Sequence, residues 1–325
     1  LISEGALART LVPRAFGPVK SRRLGVSLGV SVVPMKTCSY SCIYCQLGET
    51  TTLSVARANY CTPEQVLDVV GAALDRYGGR VDYITFVGDG EPTLYSMLGK
   101  AVLLVEAQGW ARTALISNSS LIWRRDVMED AMVFDFVSLK LDAPTESVFR
   151  SINRPHDFLK LSMIVEGIER FSRDFTGFLA IEIMLVKNVN CLAHLSEMFS
   201  EILRRVDFDR IYINTPIRPT CVKWVERPAL GEIAEFVEGM SRYVSRTKIE
   251  VLPFEEGIDE ILSSIKSPEQ LLEIAKLHPL PLEIAFSRLS AIMGEERARM
   301  YLQEVLESGK VRIVEYGGKK FIKTF

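Results

Sequence analysis

Apolar residues along this chain follow two alternating rhythms. Short runs with β-branched or period-two character at residues 24–33, 83–87, 113–116, 136–141, 178–186 and 210–214 read as strands. Between them, apolar positions spaced by three and four mark helices over 63–77, 97–108, 121–132, 161–171 and 192–206. The first helix carries its own start signal, with Thr62 as N-cap and Pro63 in the first turn. Repeats of this kind predict parallel strands joined by right-handed crossovers. The fold class is therefore α/β, a partial (β/α)6 TIM-like barrel whose chemistry sits on the loops after its strands. The loop entered at Pro34, after the first strand, lies on that face.

Beyond a further predicted helix at 226–246 and an apolar segment at 249–253, the rhythm changes. Helices at 267–276, 282–289 and 295–309 precede a hairpin over 311–323 that turns at Gly317-Gly318. Three helices and a hairpin make a small winged-helix-like domain. The expected division is 1–264 for the barrel and 265–325 for the accessory domain. Such modules bind nucleic acid, protein or a neighbouring domain. Glu295, Glu296, Glu304 and Glu307 on the third helix weigh against nucleic acid at that surface.

An apolar content of 48% over 325 residues allows a sizeable core, and the charged fraction of 25% is ordinary. No apolar run is long enough for a membrane span and no signal-peptide pattern appears, so a soluble, cytoplasmic protein with reduced thiols is expected. With a formal charge of −2 there is no global pull toward nucleic acid. Lys20-Ser21-Arg22-Arg23 and Lys319-Lys320 with Lys323 are the basic clusters, and a solvated surface is the first reading of each.

Candidate chemistry begins at Cys38, Cys42 and Cys45, spaced CxxxCxxC with the aromatic Tyr44 before the last. A structural zinc takes four protein ligands, and so does a closed cubane cluster. Three cysteines can instead hold three irons of a [4Fe–4S] cube and leave the fourth open; a zinc knuckle and three core cysteines are the alternatives. His156, His194 and His278 are isolated, which gives zinc little support. After the second strand, Gly88-Asp89-Gly90-Glu91-Pro92 forms a glycine turn that lets backbone approach a ligand. Ser117-Asn118 after the third strand offer a hydroxyl and an amide for ribose hydroxyls, or an N-cap. Ser138, Lys140 and Asp142 share one side after the fourth strand, either toward the interior or as a Lys–Asp pair on the wall. Glu182 and Met184 alternate inward on the fifth, and Leu185-Val186 offer an apolar bed or core packing. Cys61, Cys191 and Cys221 fall singly in loops, as ligands of an auxiliary cluster, as a hydrogen-atom donor, or as the small buried hydrophobe that a lone cysteine most often is.

The spacing CxxxCxΦC followed one strand later by GDGEP resembles the radical S-adenosylmethionine (SAM) superfamily. The resemblance implies a [4Fe–4S] cluster on Cys38, Cys42 and Cys45 whose open iron is chelated by the methionine end of S-adenosyl-L-methionine. It further implies that Gly88, Asp89, Gly90, Glu91 and Pro92 meet the methionine ammonium, with Tyr44, Ser117, Asn118, Ser138, Lys140 and Met184 also binding the cofactor. Lys140 would neutralise the methionine carboxylate, and Leu185-Val186 would face adenine. Lys140, Asp142 and Cys221 are the candidates for catalysis. Gly90–Tyr95, Leu141–Thr145 and Ile152–Pro155 look like the tRNA wyosine synthase-related branch. That branch uses a second cluster on cysteines upstream of the first motif, whereas here Cys38 is the first cysteine. The activity implied is reductive cleavage of SAM to a 5′-deoxyadenosyl radical, with flavodoxin or ferredoxin as electron donor. A tRNA or RNA base is the leading substrate expectation, a protein or peptide the second. An iron–sulfur redox sensor that binds nucleic acid is the non-enzymatic reading, and the GDGEP turn argues against it.

Overall fold

The structure, a computed structural model, describes residues 12–253, 267–277 and 279–324. The strands in chain order are β1 (Arg14–Ser21), β2 (Gly25–Ser31), β3 (Thr37–Cys38), β4 (Thr52–Leu53), β5 (Tyr83–Phe86), β6 (Arg112–Ser117), β7 (Phe136–Lys140), β8 (Phe178–Met184), β9 (Arg210–Asn214) and β10 (Ile249–Val251). Interleaved helices are α1 (Pro63–Tyr77), α2 (Leu98–Glu106), α3 (Arg125–Ala131), α4 (Glu146–Asn153), α5 (Leu161–Asp174), α6 (Ala193–Leu203) and α7 (Leu230–Ser241). One sheet runs β1-β2-β5-β6-β7-β8-β9-β10, parallel throughout except for the antiparallel edge pair β1–β2. A mainly parallel sheet open between β1 and β10 is consistent with a partial barrel.

Two differences from the sequence expectation matter for the site. Strand β1 was not anticipated, because Gly17 and Pro18 interrupt its pattern; the pairing shifts register between Phe16 and Val19. A seventh parallel strand, β10, extends the six expected repeats. Helix α1 starts as its sequence says: Thr62 Oγ1 accepts from Gln65 N, and Gln65 Oε1 accepts from Thr62 N at 2.9 Å.

The period-two alternation divides the sheet cleanly. Leu28, Val30, Ile84, Phe86, Leu115, Val137, Ile181 and Ile213 belong to the main core shared with the helices. On the opposite face Leu24, Ala114, Phe136, Ala180, Tyr212 and Leu252 form a separate apolar plug. Above it the inner face turns polar, with Ser27, Thr85, Lys140, Glu182 and Asn214 around a cavity.

The C-terminal part comprises α8 (Pro268–Leu277), β11 (Leu280–Pro281), α9 (Leu282–Met293), α10 (Glu295–Glu307), β12 (Val311–Tyr316) and β13 (Lys319–Thr324). Its three-stranded antiparallel sheet, β11-β13-β12, adds β11 to the expected hairpin. Leu271, Ala285, Leu289, Ala298, Leu302 and Ile322 give it a core of its own, and Val19 of β1 packs against that core. The expected boundary near residue 264 lies outside the described residues.

Candidate active site

The cysteine loop is gripped from two sides. On one, Ser41 N donates to Asn153 O and Ile43 N to Ile152 O, both at 3.0 Å, while His156 N donates to Ser39 O at 2.9 Å. On the other, Cys221 N donates to Cys45 O at 3.0 Å and Val222 N to Ile43 O at 3.3 Å. Ile43, fully buried, pins the middle of the loop in the main core. Each cysteine sulfur faces a side-chain N–H donor: Asn118 Nδ2 at 3.4 Å from Cys38, Asn153 Nδ2 at 3.5 Å from Cys42, and Lys36 Nζ at 3.6 Å from Cys45; the Tyr40 backbone N–H also bonds Cys38. Burial pushes the Cys42 thiol up to about 12, with Asp142 adding to the effect. Cys38 is pushed higher still by burial and then by Glu91. Thiolates form here only against a cation that offsets the burial.

This donor set fits a [4Fe–4S] cluster. Among the described residues no three or more His, Cys, Asp or Glu side chains converge as ligands of one ion would. A cubane asks instead for separate thiolates, each on its own iron and each stabilised by a hydrogen bond to sulfur.

The glycine turn is stitched to this loop. Lys36 N donates to Asp89 O at 2.7 Å and Glu91 N to Thr37 O at 3.1 Å. A Cβ on Gly90 would overlap the Thr37 carbonyl, so that position is glycine for a backbone reason. The carboxylates of the turn serve the protein. Asp89 accepts from Arg14 at 2.6 Å and from Ser31 Oγ at 2.7 Å. Glu91, 2% exposed, accepts from Thr93, from Ser117 Oγ at 2.7 Å and from Asn118 N at 2.8 Å. Burial raises its pKa against those bonds. Pro92 opens a short 3-10 turn, Pro92–Leu94. Ser117 and Asn118 therefore direct their side chains to Glu91, Ser39 and Cys38, contacts that the ribose expectation did not include.

Below the loop lies a cavity of about 330 Å³, walled by Gly88, Tyr44, Lys140, Glu182, Met184 and Asn214 among others. Tyr44 donates its hydroxyl to Asp142 Oδ2, and Lys140 Nζ sits 5.0 Å above the Tyr44 ring. Lys140 also pairs with Glu182 Oε1 at 3.1 Å, and Arg23 pairs with Glu182 Oε2. Burial opposes the Glu182 charge, but Arg23 and then Lys140 hold its carboxyl well below the usual range. Burial likewise opposes Lys140, and Glu182 followed by Asp142 outweighs it, so its pKa is raised. Ser138 is fully buried on the same strand, with an Oγ that has no hydrogen-bond partner.

The basic run at 20–23 does not form the solvated face expected of it. Arg23 enters the cavity wall, and Arg22 bonds Asn214 Oδ1 and Pro253 O, both at 3.0 Å. Lys319 and Lys320 are exposed, but Lys323 is half-buried, and burial lowers its pKa. Lys36, Asn153, Arg23 and Asn214 were missed as site residues. The first stands two residues before Cys38 and the second inside Ile152-Asn153-Arg154-Pro155, positions whose proximity was visible but whose donor role depends on the fold.

A family model described as the Radical SAM superfamily matches residues 32–198. The chain belongs to the radical SAM superfamily. It is 35% identical over 309 residues to the UPF0026 protein MJ1312 of Methanocaldococcus jannaschii, covering 94% of each chain. It is 30% identical over 331 residues to a UPF0026 protein of Helicobacter pylori, covering 98% of this chain and all of the relative. A structure of TYW1 with a lysine-pyruvate adduct bound superposes with a TM-score of 0.52 at 18% identity, covering 71% of this chain and 76% of that one; this likeness shows the fold alone. Family membership makes this radical SAM protein an enzyme that cleaves SAM at a [4Fe–4S] cluster, with a reductant required.

In this radical SAM enzyme the remaining expected residues lie as follows. Leu185 and Val186 are fully buried in the helix-side core and do not line the cavity, which removes them as an adenine bed. Cys61 and Cys191 pack in the same core. Cys221 directs its sulfur at the carbonyls of Cys42 and Ile43, at 3.2 and 3.1 Å, and so braces the loop. Among the described residues no helix is long and apolar enough to cross a membrane.

Proposed function

We propose that this radical SAM enzyme modifies an RNA base that enters the interior cavity from the cleft beside the C-terminal hairpin. A second cavity, of about 890 Å³, lies between that hairpin and the segment 216–227 and shares Pro216 and Ile217 with the inner cavity. Lys223, Arg227, Lys319 and Tyr316 line it together with Glu226 and Glu315, and Trp224 on the same segment is 59% exposed. Cations that track phosphates beside an exposed ring for stacking are the pairing single-stranded nucleic acid uses. The shared wall is the observation that carries the reading: a base turned out of its stack passes from the cleft to the radical site over Pro216 and Ile217. The winged-helix-like arrangement of the C-terminal part and the partial-barrel reading of the sheet belong to the same proposal.

Cys38, Cys42 and Cys45 would hold the cluster, which would supply the one-electron chemistry of reductive SAM cleavage, with flavodoxin or ferredoxin as the electron donor. The chain's own residues do the rest. Lys36, Asn118 and Asn153 hold the sulfurs, and Gly90 lets the turn approach the loop. Lys140 and Arg23 keep Glu182 charged inside the cavity, and the apolar plug closes its floor to water.

The test is anaerobic purification followed by sequencing of bound RNA, with 5′-deoxyadenosine measured after dithionite and SAM. A defined RNA class should copurify, and Trp224→Ala should weaken its binding about 5–150-fold, the range for loss of one stacked base. A copurifying peptide unaffected by Trp224→Ala selects the protein-substrate alternative instead. Absence of 5′-deoxyadenosine from protein with a full cluster supports the regulator.

A further inference from the structure

We propose that Asn153, oriented by the buried carboxylate of Asp142, is a positioning residue that raises the reduction potential of the cluster through Cys42. The inference rests on the cluster and is independent of the RNA substrate. An asparagine amide presents a donor on one side and an acceptor on the other, and its orientation is known only from its partners. Asp142 settles it here. A carboxylate only accepts, and Asp142 Oδ2 stands 2.9 Å from Asn153 Nδ2. One N–H of that nitrogen is committed to Asp142, and the other is shared between Cys42 Sγ and the Tyr44 hydroxyl oxygen, each 3.5 Å away. The flipped amide would set its oxygen against both a carboxylate and a thiolate.

The carboxylate is itself immobilised. Its Oδ1 accepts from Met184 N at 2.8 Å, and Tyr44 donates to Oδ2. Asn190 Nδ2 holds the Asp142 carbonyl at 2.8 Å. Asn153 ends α4, its carbonyl bonded to Ser41 N and its side chain only 2% exposed as a residue, so water does not compete. Asp142 is 3% exposed. A donor fixed this way withdraws electron density from the Cys42 sulfur and stabilises the cluster more after it gains an electron. The other two corners are built differently: Asn118 is oriented by Ser120 N on its Oδ1 at 2.9 Å, and Cys45 faces the Lys36 ammonium.

The test is an EPR-monitored redox titration of reconstituted protein, with iron counted in the same samples. Asn153→Leu removes the donor at similar size, and Asp142→Asn presents an amide that no longer forces the Asn153 nitrogen toward Cys42. Asn153→Leu should keep four irons and show a lower midpoint potential. Asp142→Asn also removes a negative charge near Cys42, which by itself raises the potential. Its shift should therefore be more negative in the wild-type background, where the orientation of the donor is lost as well, than in Asn153→Leu, where no donor is left to lose. An unchanged potential in Asn153→Leu, or equal Asp142→Asn shifts in the two backgrounds, overturns the proposal. If Asn153→Leu does not retain iron, Asn153→Ala takes its place in the same comparison. Iron loss from both variants makes the pair part of loop assembly and overturns the proposal as well.

Discussion

Gly90 lacks a side chain because the cysteine loop crosses it, and this sets the consequence of changing it. The Thr37 carbonyl stands where a Cβ on Gly90 would be. Gly90→Ala should therefore part the turn from the loop, at a cost of about 1–3 kcal/mol typical of overpacking. It should lower both the denaturation midpoint of the apoprotein and the iron bound per chain. Four irons and an unaltered midpoint in that variant would refute the crossing as the reason for glycine. The cysteines and the glycine turn were legible in the sequence because their spacing is local. Asn153 and Lys36 were not, since an amide or an ammonium becomes a sulfur ligand's partner only through the tertiary fold. Leu185 and Val186 misled because an apolar pair is ambiguous between a ligand bed and core until the strand's facing is known.

The β1–β2 hairpin shows what an element adds beyond its residues. Its turn carries Arg22 and Arg23 across the open edge of the sheet to Asn214, Pro253 and Glu182. Arg23→Met would leave Glu182 to Lys140 and the Asn214 amide, and breaking a buried pair costs about 3–5 kcal/mol. The pH response follows from the sign of the shift. Glu182 is held low in the folded state, so it stabilises the fold above its unfolded pKa, and that contribution is lost as pH falls through the folded one. Weakening the cations raises the folded pKa, so acid unfolding of Arg23→Met, followed by tryptophan fluorescence, should begin at higher pH than in wild type. Coincident acid transitions would show that Arg23 does not hold the Glu182 charge. The strands and most helices were readable from periodicity because each has one face in the core. Strand β1 was not, since the glycine and proline in its middle carry the signature of a loop.

At the scale of the molecule, the C-terminal part is a wall of the inner cavity. Ile274 and Leu280 line the same cavity as Tyr44 and Cys45, and Tyr316 donates its hydroxyl to Pro216 O at 3.3 Å. The three sulfur donors all belong to the barrel, so deletion of residues 267–325 should leave four irons in place. It should also open the chamber, and the brown chromophore should bleach faster in air than in the full chain. Equal lifetimes would mean that the module does not shield the cluster. The open edge of the sheet carries a further consequence. A closed barrel fixes its bore by a continuous ladder of backbone bonds, whereas between β1 and β10 the described links run through long side chains such as Arg22 and Arg23. Those side chains change reach by turning about their own bonds while every strand pairing stays intact. The ring is thus a split collar, clasped by a pair of arginines that line the inner cavity.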